Sequence, residues 1–178
     1  MSKQYWEEAL AWAVADGTAV ASTASETIIF PDITIPANYM ADGRALRLTA
    51  SGKLSTTGTP TMIFAIRWGG VAGSLLATTE AITNGSGVAN VNWWLQAIIQ
   101  TRTNGSSGSL IVMGAAHLHT SATAVSTNVF GVSGYDAPAA VGSLDLTTDK
   151  ALSLTAKWSA SDPLNTLTGL MYHLESLN

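Results

Sequence analysis

Between residues 44 and 177 apolar side chains recur at every second position, in short runs separated by Gly, Ser, Thr, Asn and Asp. Leu46, Leu48, Ala50 and Leu54 alternate with Arg47, Thr49, Ser51 and Lys53; Leu152, Leu154, Ala156 and Trp158 alternate with Ser153, Thr155, Lys157 and Ser159. A strand turns successive side chains to opposite faces, so this pattern commits one face to a core and the other to water or a neighbour. Strands are expected at residues 45–55, 61–68, 75–82, 90–103, 109–120, 141–146, 152–159 and 166–177. Thr57-Gly58-Thr59-Pro60, Gly69-Gly70, Asn84-Gly85-Ser86-Gly87 and Asn104-Gly105-Ser106-Ser107-Gly108 separate them. Strands at this spacing imply an all-β fold, a two-sheet antiparallel jelly-roll β-sandwich.

Only 11% of the residues are charged, against about 25% in an average soluble protein, while 47% are hydrophobic. The surface must then be clothed in Ser and Thr hydroxyls, or buried in part against other subunits, since charge depletion marks interface centres. A net charge of −4 with scattered Lys and Arg offers no basic field and argues against a nucleic-acid partner. The apolar stretch 9–15 is far short of the roughly 20 residues that span a bilayer, and Glu7 and Glu8 precede it, so neither a membrane partner nor a secretory leader is expected. Without cysteine there is no disulfide and no thiolate chemistry.

The chain divides into an N-terminal arm, residues 1–17, and a β-domain, residues 18–178. Residues 2–15 are rich in helix formers, with Tyr5, Trp6, Ala9, Leu10 and Ala13 on one helical face, and Asp16-Gly17 would end such a helix. A helix this short needs a partner surface, so the arm, helical or extended, is expected to dock through Tyr5, Trp6, Leu10 and Trp12. Residues 18–26 suggest a linker or weak edge strand, and Pro31 and Pro36 consign residues 32–35 to an edge or bend. The long strands 90–103 and 109–120 read as a hairpin closed at Asn104-Gly105. Trp93, Leu95, Ala97 and Ile99 line one face of the first, and Trp94, Gln96, Ile98 and Gln100 the other. Large apolar groups on both faces imply cover on both sides, and Trp94, Ile98, His117 and His119 are the candidate subunit contacts.

Several segments together carry a resemblance: Ala15-Asp16-Gly17-Thr18-Ala19, Ile35-Pro36-Ala37-Asn38-Tyr39, and Gly43-Arg44-Ala45-Leu46-Arg47-Leu48-Thr49-Ala50-Ser51-Gly52. Trp94-Leu95-Gln96-Ala97-Ile98-Ile99, Thr101-Arg102-Thr103-Asn104-Gly105 and the ending Tyr172-His173-Leu174-Glu175-Ser176-Leu177-Asn178 complete it. Together these segments resemble the small jelly-roll virion structural proteins of tailed bacteriophages and prophages, of head decoration, head-fibre or tail accessory type. The resemblance implies a non-enzymatic protein that assembles in the bacterial host cytoplasm as a homo-oligomer, a trimer, and docks on a major capsid or tail protein at the virion surface. It carries over no catalytic residue and no cofactor.

His117 and His119 point to one side of a strand, as metal ligands would, and cupin enzymes are jelly rolls that bind metal through such a pair. The cupin pattern also needs a nearby carboxylate, and residues 120–130 contain no Asp or Glu; His173 is a distant third histidine. No Gly-X-Ser-X-Gly elbow supports a nucleophilic serine. Asp32, Asp42, Asp136, Asp145, Asp149 and Asp162 fall at turns or strand ends, where Asp shapes the backbone rather than forming a catalytic pair. The six tryptophans raise a glycan-binding alternative, although Trp68 and Trp158 follow the inward alternation and read as core. No metal, cofactor or catalytic residue is assigned.

Overall fold

The structure is a computed structural model, and it describes residues 7–121, 123–131 and 138–178. Strands in chain order are β1 (Glu8–Trp12), β2 (Thr27–Ile28), β3 (Ile33–Ile35), β4 (Ala45–Ser55), β5 (Thr61–Trp68), β6 (Ser74–Thr78) and β7 (Ile82–Thr83). They continue with β8 (Val91–Thr103), β9 (Gly108–His119), β10 (Val125–Val129), β11 (Val141–Leu144), β12 (Lys150–Trp158) and β13 (Thr166–Ser176). No helix forms among the described residues.

Two antiparallel sheets pack face to face. The larger runs β1-β13-β4-β8-β9-β10, with β11 also on β9; the smaller runs β2-β12-β5-β6, with β3 on β12 and β7 on β5. Pairing is nested: the chain's late strands β13 and β12 return beside the early strands β4 and β5, enclosing the β8–β9 hairpin between them. A jelly roll folds back on itself in this way. The hairpin closes where the sequence places it, with Gly105 at φ 98°, a left-handed conformation that glycine adopts without steric cost.

Alternation sets the core. Leu46, Leu48, Trp93, Leu95 and Ile99 of the larger sheet meet Phe64, Ile66, Leu154 and Trp158 of the smaller, all buried in one continuous cluster. Trp68 and Trp158 are core residues, as their position in the alternation predicts. Trp93 also lies inside, with its ring centroid 5.2 Å from that of Phe64, so Trp94 must face out. Gly52 makes room for this arrangement: its missing Cβ would collide with the Trp93 indole and the Thr168 carbonyl.

Three local expectations change. The helix read over residues 2–15 is a strand where it is described: β1 pairs with β13, Leu10 and Ala11 pack against the core, and a bulge between Ala9 and Ala11 shifts the register. Good helix formers do not offset the nucleation cost of so short a helix when a sheet edge offers ready backbone partners. The single strand expected at 75–82 divides into β6 and β7, because Thr79 breaks the ladder. Its hydroxyl accepts the Phe64 N–H at 3.0 Å while its own N–H donates to the Phe64 carbonyl at 2.9 Å. β10 was not expected; its V-S-T-N-V alternation is short and its large residues face outward. The segment 18–26 forms no strand, but buried Val20 exchanges hydrogen bonds of 2.8 and 3.1 Å with Leu167. Its carbonyl accepts from the Trp158 indole at 3.0 Å, tying the two sheets together. The segment between the prolines holds β3, at the edge of β12.

Candidate functional site: the outer face of the larger sheet

The register of the larger sheet determines which outward side chains are neighbours. One line across it runs Trp12, His173, Thr49, Gln96, Ala115 and Val129. The next runs Met171, Ser51, Trp94, His117 and Thr127, and on the other side Glu175, Arg47, Ile98 and Met113 are aligned. All four candidate subunit contacts, Trp94, Ile98, His117 and His119, therefore lie on this single face. So does Trp12 from the arm, whereas Leu10 packs against the chain's own core. Tyr5 and Trp6 lie outside the described residues.

The face divides in two. Over β8, β9 and β10 it is apolar and almost uncharged: Met113 is 56% exposed, Val125 54% and Val129 61%, beside Trp94, Ile98 and Ile111. Between Glu80 and Asp136 the sequence holds a single Asp, Glu, Lys or Arg, namely Arg102. That run of uncharged strands marks the region in the sequence, but Ile111, Met113, Val125 and Val129 become neighbours of Trp94 and His117 only through the register. The Trp94 and His117 rings lie 5.1 Å apart, tilted by 31°, and His117 Nδ1 is 2.9 Å from the Thr127 hydroxyl. These contacts hold the indole and imidazole in place at the middle of the apolar half.

Over β1, β13 and β4 the same face carries charge. Arg47 donates from Nε to Glu175 at 2.6 Å and reaches Glu7 at 3.3 Å, while His173 Nδ1 is 3.0 Å from the other Glu175 oxygen. Hydrogen bonding to Glu175 raises the Arg47 pKa above its ordinary value against a smaller opposing effect of burial. A groove of ≈ 520 Å³ opens here, with Trp12 and Met171 at its sides and Thr49 and Gln96 in its lining.

The histidines do not converge. His173 is three strands from His117, about 14 Å at the usual ~4.8 Å spacing. Among the described residues no group of three or more His, Asp or Glu side chains is arranged to hold a metal ion. The aspartates serve the backbone. Asp145 accepts from the Thr147 N–H and from the Thr147 and Thr148 hydroxyls, Asp162 from the Leu164 N–H, Asp42 from the Asn104 N–H and Asp149 from the Ala37 N–H. Thr147 hydrogen bonding, foremost, holds the Asp145 carboxyl below its usual range. Asp32 instead accepts from the Ser153 hydroxyl, and Asp136 lies outside the described residues.

In comparisons with known proteins the chain matches no family model, no curated protein and no solved structure.

Proposed function

We propose that this chain is a non-enzymatic structural protein of a tailed-phage virion, a capsid decoration or accessory protein that assembles as a homo-oligomer and docks on the head or tail lattice. The observation that carries the assembly step is the uncharged apolar half-face over β8, β9 and β10. Desolvating Trp94, Ile98, Ile111 and Met113 against another copy takes no ionised group out of water, so the hydrophobic gain is not offset by charge burial. The resemblance of the strand and turn segments to phage virion proteins supports the virion setting.

Magnitudes bound how this surface is used. Three strands at ~4.8 Å and about eight residues at ~3.4 Å give an apolar patch on the order of 400 Å². A stable interface buries roughly 800 Å² per partner, so the patch supplies about half and flanking Ser and Thr surface supplies the remainder. The mechanism is shape: copies associate through this half-face, with His117 and His119 on its middle strand β9, and Tyr5 and Trp6 grip the lattice.

The test is incorporation. Particles purified from a lysate of the bacterium that carries this sequence should contain the chain at a fixed copy number by quantitative mass spectrometry. A variant lacking residues 1–6 should keep its solution mass and be absent from the particles. Particles without the full-length chain would contradict the virion assignment; particles that retain the truncated chain would contradict the role of Tyr5 and Trp6.

A further inference from the structure

We infer that the groove beside Trp12 is a binding site for a neutral pyranose glycan, centred on β1, β13 and β4 and meeting the half-face used for assembly at Gln96 of β8. The groove, ≈ 520 Å³, falls within the size range of small-molecule sites. Trp12 stands at its side 57% exposed, although an indole of this size gains most from burial. β1 holds the ring there: it is paired with β13 and anchored by Leu10 and Ala11 packed inward, and the Trp12 register partner is His173. An exposed indole on a fixed strand is a flat apolar platform.

The lining opposite is polar. The Gln96 carboxamide donates to the Thr49 hydroxyl at 3.3 Å, and its oxygen accepts no hydrogen bond among the described residues. His173 engages Glu175 through Nδ1, and its Nε2 has no protein partner among the described residues. The one guanidinium in the groove is already engaged, since Arg47 pairs with both Glu175 and Glu7, and the second Glu175 oxygen lies 3.0 Å from His173 Nδ1. The groove therefore presents hydrogen-bonding groups, and its guanidinium is already held by two carboxylates rather than left to select an anion.

A pyranose ring is complementary on both counts. One side of the ring exposes C–H groups that lie flat on an indole, and its rim carries hydroxyls that both donate and accept. Carboxylate, amide and imidazole groups meet those hydroxyls, and the two carboxylates that already hold Arg47 favour a neutral sugar over a sialylated or sulfated one. A lipid chain would want an unbroken apolar lining, and Arg47, Thr49, Gln96 and Glu175 interrupt the one that Trp12, Ala13, Met171 and Tyr172 begin.

The experiment is a printed array of neutral hexose and N-acetylhexosamine oligomers with sialylated and sulfated glycans alongside, followed by calorimetric titration of the strongest neutral ligand. Retention on neutral glycans is expected, weakened about tenfold or more in Trp12→Ala, with solution mass unchanged. Gln96→Ala, across the groove from the β1 edge, carries the same expectation should Trp12→Ala disturb that edge. No retention on any neutral glycan, retention on anionic glycans alone, or wild-type affinity in both variants would overturn the inference. Solution mass is read for the wild type and for each variant, so loss of glycan retention at an unchanged mass is distinguishable from failure of assembly.

Discussion

Glu26 and Arg67 are joined by two parallel hydrogen bonds of 2.6 and 2.7 Å on the outer side of the smaller sheet, and the Thr155 hydroxyl donates to the same carboxylate. Burial pushes the Glu26 carboxyl up, but hydrogen bonds from Arg67 and Thr155 and the charges of Arg67 and Lys157 together hold it below its ordinary 4.5. A carboxyl whose pKa is lower folded than unfolded adds stability that is full above the unfolded value and is lost as pH falls through the folded one. Glu26→Gln should therefore cost about 1–3 kcal/mol at pH 7, by urea denaturation, because it leaves Arg67 without its ionic partner. The gap should close as pH drops below 4.5. An equal gap at pH 7 and at the acid end would mean that the ion pair contributes nothing. Alternation correctly turned Ser153 and Thr155 away from the core. It had no means of finding the carboxylates of Asp32 and Glu26 that cover them, more than a hundred residues away along the chain.

Among the elements, the long strands were legible and the short ones were not. β4 and β5 coincide with the expected 45–55 and 61–68, because each carries a full alternating run ended by turn residues. β2 and β3 are two and three residues long and exist through their pairing with β12, a fact held in tertiary structure rather than in local pattern. β1 reverses the local preference of its sequence for the same reason. Deleting residues 1–16 should thus do more than remove a docking arm. It uncovers the β13 edge and strips Leu10 and Ala11 from the core, and is expected to lower stability by about 2–4 kcal/mol in a urea titration. An unchanged midpoint would contradict the integration of β1 into the sheet. Gly52→Ala tests the other side of the same packing, since its methyl group would meet the Trp93 indole and the Thr168 carbonyl. A loss of about 1–3 kcal/mol is expected from the overpacking, and a neutral substitution would show that Trp93 is free to shift.

The whole molecule presents one sheet face divided between an apolar half and a charged, grooved half. Part of this was readable in the sequence: Trp94, Ile98, His117 and His119 alternate out of phase with Trp93, Leu95 and Leu118, so their common face followed from strand geometry. What alternation lacks is the sign of the face and its lateral neighbours, both of which depend on sheet order. That is why Met113 and Val129 beside this cluster, and Trp12 opposite Gln96 across two strands, emerged only from the register. Burial of the apolar half between copies is the central claim, and light scattering on the purified full-length chain tests it most directly. The account predicts a stable mass at a whole multiple of 18.5 kDa, three for a trimer, falling to a single chain in Met113→Glu with its β-structure intact. A wild-type chain that stays at 18.5 kDa across the micromolar range would contradict it.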